Sequence, residues 1–356
     1  MSDASRKTMI AAYIEESATP PGFLSAMFQT PPQNYFNSET VEIDIQRNGE
    51  DIAIPIQDLS VKGRINEATL FTNKEFTPPI YEERFPVKAW EQMFRQIGNN
   101  PFESVDFMAS AFNSMRSNMR RGEQMIRRSI ELQAAQIFQS GTVTLTDSSG
   151  NALYAIDFAP KATHFVNAVT TWASSTTKLA DIEALADVIR VDGHTEPDML
   201  VFGARAWNRF IQDTAVQNAL DNRRIDLGMI SQPLVRGGGK YHGVLTVGQN
   251  TFQLWTYQGW YKHPQTSAAT AYIDQDSVYM RGPGRLDLVY GAIPQLVPPD
   301  PRVAPLTLGR MSAGGVDMHT HAWLSEDERT IWGSVSARPL CIPTAIDTFG
   351  RIDTVP

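Results

Sequence analysis

Residues 100–141 limit the architecture more than any other stretch. Asn100-Pro101-Phe102-Glu103 reads as a helix start, with Asn as cap, Pro at the first position and Glu at the third reaching back to the cap. Met108, Phe112, Met115, Met119, Ile126, Ile130 and Ile137 then recur at steps of three, four or seven, and Gly141 is placed to end the helix. A helix over residues 103–140 at ~1.5 Å per residue spans roughly 55 Å, several times the usual globular length. Gly122 is a candidate bend within it. The rest of the chain must be arranged around that rod.

The helix carries the one dense basic cluster, Arg116, Arg120, Arg121, Arg127 and Arg128, and helical spacing sets Arg116, Arg120 and Arg127 on one face. Two readings stay open. The first is a solvated face paired with Glu123 and Glu131, and the second is contact with a polyanion or an acidic partner. Against 31 basic residues stand 39 acidic ones, and the net charge of −8 with a pI near 5.3 argues against a dedicated nucleic-acid binder.

Before the helix, TPPGF and TPPQNY make residues 1–38 an extended arm, with a short helical piece over residues 8–16. Such an arm needs a neighbour to lie on. Val41, Ile43 and Ile45 alternate with polar residues, Asn48-Gly49 is a two-residue hairpin signal, and Ile52, Ile54 and Ile56 alternate on the return. Pro55 makes the returning strand an edge. Residues 58–81 follow with little periodicity, as a long loop that a compact domain rarely tolerates without a function.

After the helix, TVTLTDSSGNALYAID over residues 142–157 reads as a second hairpin. From Leu179 the pattern becomes α/β, with a helix through ADIEALADVI, a strand MLVF, a helix through ARAWNRFIQDTAVQNAL and strands around residues 241–257. The last residues return to strand-like alternation, including VDMHTHAWL and TIWGSVSARPLCIP.

Sites for chemistry are few. His319 and His321 share a face if their segment is a strand. They form half of the ligand set of a metal-dependent hydrolase, but no histidine follows His321 to complete it. The run Gly237, Gly238, Gly239 before Lys240 is not a Walker loop, because Tyr241 follows the lysine; it reads as a flexible loop. No Gly-x-Ser-x-Gly elbow occurs, and the single cysteine, Cys341, sits between Leu340 and Ile342 as a small buried hydrophobe, which suits a reducing compartment. No enzyme, cofactor or metal is expected. The first residues are too weakly apolar for a signal peptide, and no run approaches the ~18 apolar residues of a membrane span, so no membrane partner is expected.

The order of parts, together with particular stretches, is similar to one family. Glu75-Phe76-Thr77-Pro78 resembles its signature at the end of an extended loop, RRSIELQAAQIFQSG the end of its spine helix, and Trp172 with Asp181-Ile182-Glu183-Ala184, Val201-Phe202, Trp207, Phe210 and LDNRR the start of its axial domain. Tyr290-Gly291-Ala292-Ile293 and SARPLCIP continue the likeness. On these stretches the chain resembles the lambda-type major capsid (head) proteins of tailed bacteriophages.

The resemblance implies an α+β Hong Kong phage capsid fold. Its parts would be an N-terminal arm (1–38), an extended loop (39–86), a peripheral domain with the spine helix (87–177), an axial domain (178–305) and returning peripheral strands (306–356). It implies assembly with copies of itself, as hexamers and pentamers of an icosahedral head shell in the virion, assembled in the host cytoplasm. Portal, scaffold and decoration proteins would be further partners, and packaged double-stranded DNA would make only weak, non-specific contact. Ile43, Ile45, Ile52, Ile54, Glu75, Phe76 and Pro78 are the expected assembly contacts, and Arg116, Arg120 and Arg127 the expected inner-face basic residues. The alternatives are a metal-dependent hydrolase built on His319 and His321, and an encapsulin-like compartment with the same fold.

Overall fold

The computed structural model describes residues 22–36, 38, 41–45, 72–93, 107–146, 152–220, 235–293, 317–326 and 329–355. The expected cap at Asn100, the helical piece at 8–16 and the strand through Ile52, Ile54 and Ile56 lie outside them.

In chain order, β1 (Val41–Ile45), β2 (Thr72–Phe76) and β3 (Tyr81–Lys88) precede α1 (Phe107–Ser140). The strands β4 (Thr142–Thr146), β5 (Ala152–Asp157) and β6 (Phe165–Asn167) lead to α2 (Lys178–Gly193), β7 (Met199–Phe202), α3 (Ala204–Ile211) and α4 (Thr214–Leu220). Then come β8 (Val235–Arg236), β9 (Gly239–Val247), β10 (Asn250–Tyr257), β11 (Trp260–Lys262), β12 (Ala269–Ala271), β13 (Ser277–Arg281) and β14 (Asp287–Tyr290). The chain closes with β15 (His319–Leu324), β16 (Thr330–Ala337), β17 (Pro339–Ile342) and β18 (Phe349–Asp353).

The 34 residues of α1 make a rod of roughly 50 Å. Its stripe is buried as the spacing requires: Met115, Met119, Ile126, Ile130 and Ile137 are all in the core. The helix packs on β16 and β3 of the antiparallel sheet β15-β16-β3 and also meets β17 and β4. Close approach there depends on two missing side chains. A Cβ at Gly333 would sit 2.3 Å from the Met115 sulfur, and one at Gly122 would sit 2.8 Å from the Phe85 ring. Gly122 is thus a contact point for the sheet. Gly141, at φ +67°, ends the helix as expected.

The second core belongs to a mixed seven-stranded sheet ordered β6-β18-β13-β7-β10-β9-β8. Ile182, Leu185 and Ile189 of α2 and Phe210 of α3 bury against Leu200, Phe202, Phe252 and Ile352 of the sheet, and Trp172 closes this core. The expected returning segment 306–356 divides here. β15 and β16 join the sheet on α1, whereas β18 lies between β6 and β13, pairing in parallel with the first and antiparallel with the second. The segment expected as one long helix through residues 204–220 is two, α3 and α4, broken at Gln212 and Asp213.

The arm corrects the expectation that it needs a neighbour. Residues 22–36 lie on the chain itself. Phe23 packs on Trp255 and Tyr257 at ring separations of 5.2 and 5.5 Å, and Phe28 meets Phe138 edge-on. Phe23, Leu24 and Phe28 are all buried, each contributing roughly 1.5–3 kcal/mol. Gln29 exchanges backbone hydrogen bonds with Leu286 and Leu288, and Tyr35 stacks on Tyr290. The glycine run is likewise no flexible loop: Gly237 and Gly238, both at positive φ, turn β8 into β9, and Gly22 N–H donates to the Gly237 carbonyl.

One side chain fixes the arm in place. The fully buried Glu131 of α1 accepts hydrogen bonds from Leu24 N–H (2.9 Å), Ser25 N–H (2.8 Å) and the Tyr257 hydroxyl (2.8 Å). Burial and the neighbouring carboxylate together push the Tyr257 pKa far up, which keeps it a donor. Replacing Glu131 with Ala leaves three donors unmatched, two of them buried, so Glu131→Ala is expected to cost roughly 3–5 kcal/mol. Urea denaturation of the unassembled subunit measures it, together with faster proteolysis within residues 22–36; an unchanged midpoint would show that the arm does not rest on this residue.

Candidate assembly elements

β1 and β2 form a two-stranded antiparallel ribbon, registered Val41↔Phe76, Glu42↔Glu75, Ile43↔Lys74, Asp44↔Asn73 and Ile45↔Thr72. Residues 72–76, expected as part of an aperiodic loop, are therefore a strand, and β1 has its described partner there. Alternation divides the ribbon into two faces. Val41, Ile43, Ile45, Thr72, Lys74 and Phe76 share one; Glu42, Asp44, Asn73 and Glu75 share the other.

At the root of the ribbon Val41 and Phe76 are both buried in the core around α1, with Phe76 5.3 Å from the Phe158 ring. The buried Pro78 follows, and its carbonyl accepts from Nε and Nη2 of the buried Arg338 at 3.3 and 3.2 Å. Arg338 also donates to the Ala292 carbonyl, so one guanidinium ties the ribbon's root to the segment after β14. The structure thus places Phe76 and Pro78 in the subunit's own packing. Glu75 lies in β2 and Ile43 and Ile45 in β1, on the registers given above.

Arg116, Arg120 and Arg127 lie exposed along α1, as spaced. Arg127 pairs with Glu123 at 2.8 Å, in the i, i+4 arrangement that surface helices use for a few tenths of a kcal/mol. Glu131 does not join this face; it is the buried anchor of the arm. Beside the arginines a cleft of about 780 Å³ opens between α1 and the arm, lined by Ser25, Phe28, Tyr35, Arg120, Arg127 and Asp317 among others.

His319 and His321 do share a face of β15, opposite Ser336 and Ser334 of β16. Burial lowers both pKa values, and His319 is lowered further by His321. His321 stacks on Trp323 at 5.3 Å and Trp323 on Trp332 at 6.4 Å, so the pair continues an aromatic ladder across the sheet. Among the described residues no three His, Cys, Asp or Glu side chains gather where a metal could be held, and no helix is long and apolar enough to cross a membrane. Cys341 is buried, its thiol pKa raised by burial, with Sγ 3.8 Å from the Ile130 carbonyl.

Two organising residues escape a search for sites: Glu131 and Gln133. Gln133 donates to the Tyr81 hydroxyl and accepts from Cys341 N–H, joining α1 to β3 and β17. The signal is present in LQAAQIFQS, which carries no charge from Leu132 to Ser140. A helical stretch without charge is mostly buried, and the polar residues on its buried side must be bonded.

Known structures share this architecture. A putative capsid protein from a prophage of E. coli CFT073 aligns with a TM-score of 0.63 at 14% identity, covering 99% of both chains. The capsid structure of cyanophage P-SCSP1u aligns with a TM-score of 0.50 at 10% identity, covering 95% of this chain and 89% of the other. These likenesses establish the fold. No curated protein matches the chain in sequence. The family model described as phage major capsid protein E matches residues 8–353, nearly the whole chain, and the protein therefore belongs to that family of phage major capsid proteins.

Proposed function

We propose that this shell subunit assembles with copies of itself as hexamers and pentamers of an icosahedral head, enclosing packaged DNA in the virion. The observation that carries the reading is the ribbon. It is two-stranded, and its root, Val41 and Phe76, is held by the subunit's own core. An isolated pair of strands is marginal in water, so the rest of the ribbon needs cover from outside the subunit. An adjacent subunit supplies it.

In this reading α1 with the β15-β16-β3 sheet forms the peripheral part. The seven-stranded sheet forms the axial part, drawing β6 and β18 from outside the 178–305 segment. The fold and the shell role call for no catalytic group.

The loop is dispensable to the subunit and required by the shell. Ile45 stands directly opposite Thr72, so a short Gly-Ser linker replacing residues 46–71 closes the ribbon without moving either strand. Circular dichroism of the shortened chain is expected to match the intact protein, while sedimentation and negative-stain microscopy show no closed shells. Full-size shells from the shortened chain would overturn the proposal.

The histidine pair is a structural part of its sheet. Both folded-state pKa values lie below the unfolded value of ~6.5, so on acidification the unfolded chain takes up protons first. Stability is complete above that pH and falls as pH drops through it. His319→Gln with His321→Gln should flatten this acid limb in urea titrations, leave shells intact and leave zinc content at background. Stoichiometric zinc in the wild type that the double variant lacks would instead make the pair a metal site.

A further inference from the structure

A buried histidine stands where the closing strand enters the seven-stranded sheet. His164 ends the short turn Ala162–His164 that leads into β6. Its Nδ1 lies 2.9 Å from the carbonyl of Phe349, the first residue of β18, and its Nε2 lies 3.1 Å from Oδ2 of Asp192, in the last turn of α2. The other oxygen of Asp192 takes the Lys161 ammonium at 2.8 Å. That bond first, and the bond to His164 after it, hold the Asp192 carboxyl below its ordinary range against the opposing effect of burial, so it can only accept.

Both partners of the ring are therefore acceptors. A carbonyl has no proton to give and neither has an ionised carboxylate, whereas a neutral imidazole donates from one nitrogen only. Either neutral tautomer would turn a bare lone pair on an acceptor, in a place closed to water. The imidazolium donates from both nitrogens and satisfies both partners. Other charged groups lie close by in the chain or across the sheet: His194 just past α2, Asp347 two residues before Phe349, Arg351 two residues after it with its guanidinium 3.7 Å from Asp353, and Arg281 opposite Phe349 in the register of β13. The strand runs tight against this segment, since a Cβ at Gly350 would sit 2.7 Å from the His164 carbonyl oxygen.

We propose that His164 is a proton-operated latch on β18: protonated, it ties the closing strand to α2 and to the entry of β6, and deprotonated it gives up one of its two bonds. The device goes beyond the shell role and does not depend on it. Its sense is opposite to that of His319 and His321. The latch is complete at low pH and is lost as rising pH takes the proton.

Urea titration of the unassembled full-length subunit tests it, between about pH 6 and about pH 8, on either side of the ordinary histidine value of ~6.5. Across this span the folding constant of the wild type should fall roughly tenfold more than that of His164→Gln, which holds no titrating proton. Asp192→Asn should also remove the fall, because its amide can donate to Nε2 of the neutral ring. Lys161→Met should keep it. Nitrogen NMR of the ring, its signal identified by loss in His164→Gln, should show both nitrogens protonated at about pH 6. Should His164→Gln fail to fold, Asp192→Asn decides, and displacement by that variant identifies the ring signal instead. A ring with one bare nitrogen at about pH 6, a fall that survives Asp192→Asn, or a fall abolished by Lys161→Met overturns the proposal.

Discussion

A single buried carboxylate holds the parts of this subunit in one arrangement. Glu131 sits where the arm, the long helix and the seven-stranded sheet meet, and it takes one hydrogen bond from each of Leu24, Ser25 and Tyr257. None of these donors is cationic. A charge taken out of water without a counter-ion is costly, and hydrogen bonds from fixed neutral donors are what offset that cost. Because all three must converge for the carboxylate to be satisfied, the arm cannot shift without leaving it exposed to a low dielectric. Gln133, two residues on, performs the neutral version of the same task for β3 and β17.

The elements that were legible in the sequence are those whose conformation is dictated locally. The stripe of α1, its glycine stop, the 142–157 hairpin and the alternation of helix and strand after Leu179 all follow from periods and turn residues. What was not legible is set by distant partners. TNKEF of β2 is a poor strand by composition, and it is extended because β1 pairs with it. The arm reads as an outreaching segment because prolines show only that it is not helical; that Phe23 has Trp255 and Tyr257 to lie on is a fact of the folded sheet. The glycine run was expected to be loose, yet the arm's backbone packs against its turn.

The candidate assembly residues divide in the same way. Sequence alone placed Ile43, Ile45, Glu75, Phe76 and Pro78 together in one projecting segment, which is where β1 and β2 lie. It could not separate root from reach. Burial marks the root: Phe76 packs on Phe158, and the Pro78 carbonyl is held by Arg338. Arginine suits that place because its planar fork can bond the Pro78 and Ala292 carbonyls at once. The arginines of α1 were visible as a face, but the pairing of Arg127 with Glu123 depends on rotamers that no spacing reports.

The position of β18 bears on the timing of synthesis. The strand fills the gap between β6 and β13, which have no pairing with each other, so the sheet stays in two pieces until residues 349–353 have left the ribosome. Contacts between such distant parts of a chain form late and slowly. A subunit still being translated therefore lacks a finished α/β core, however early its arm, ribbon and helix emerge.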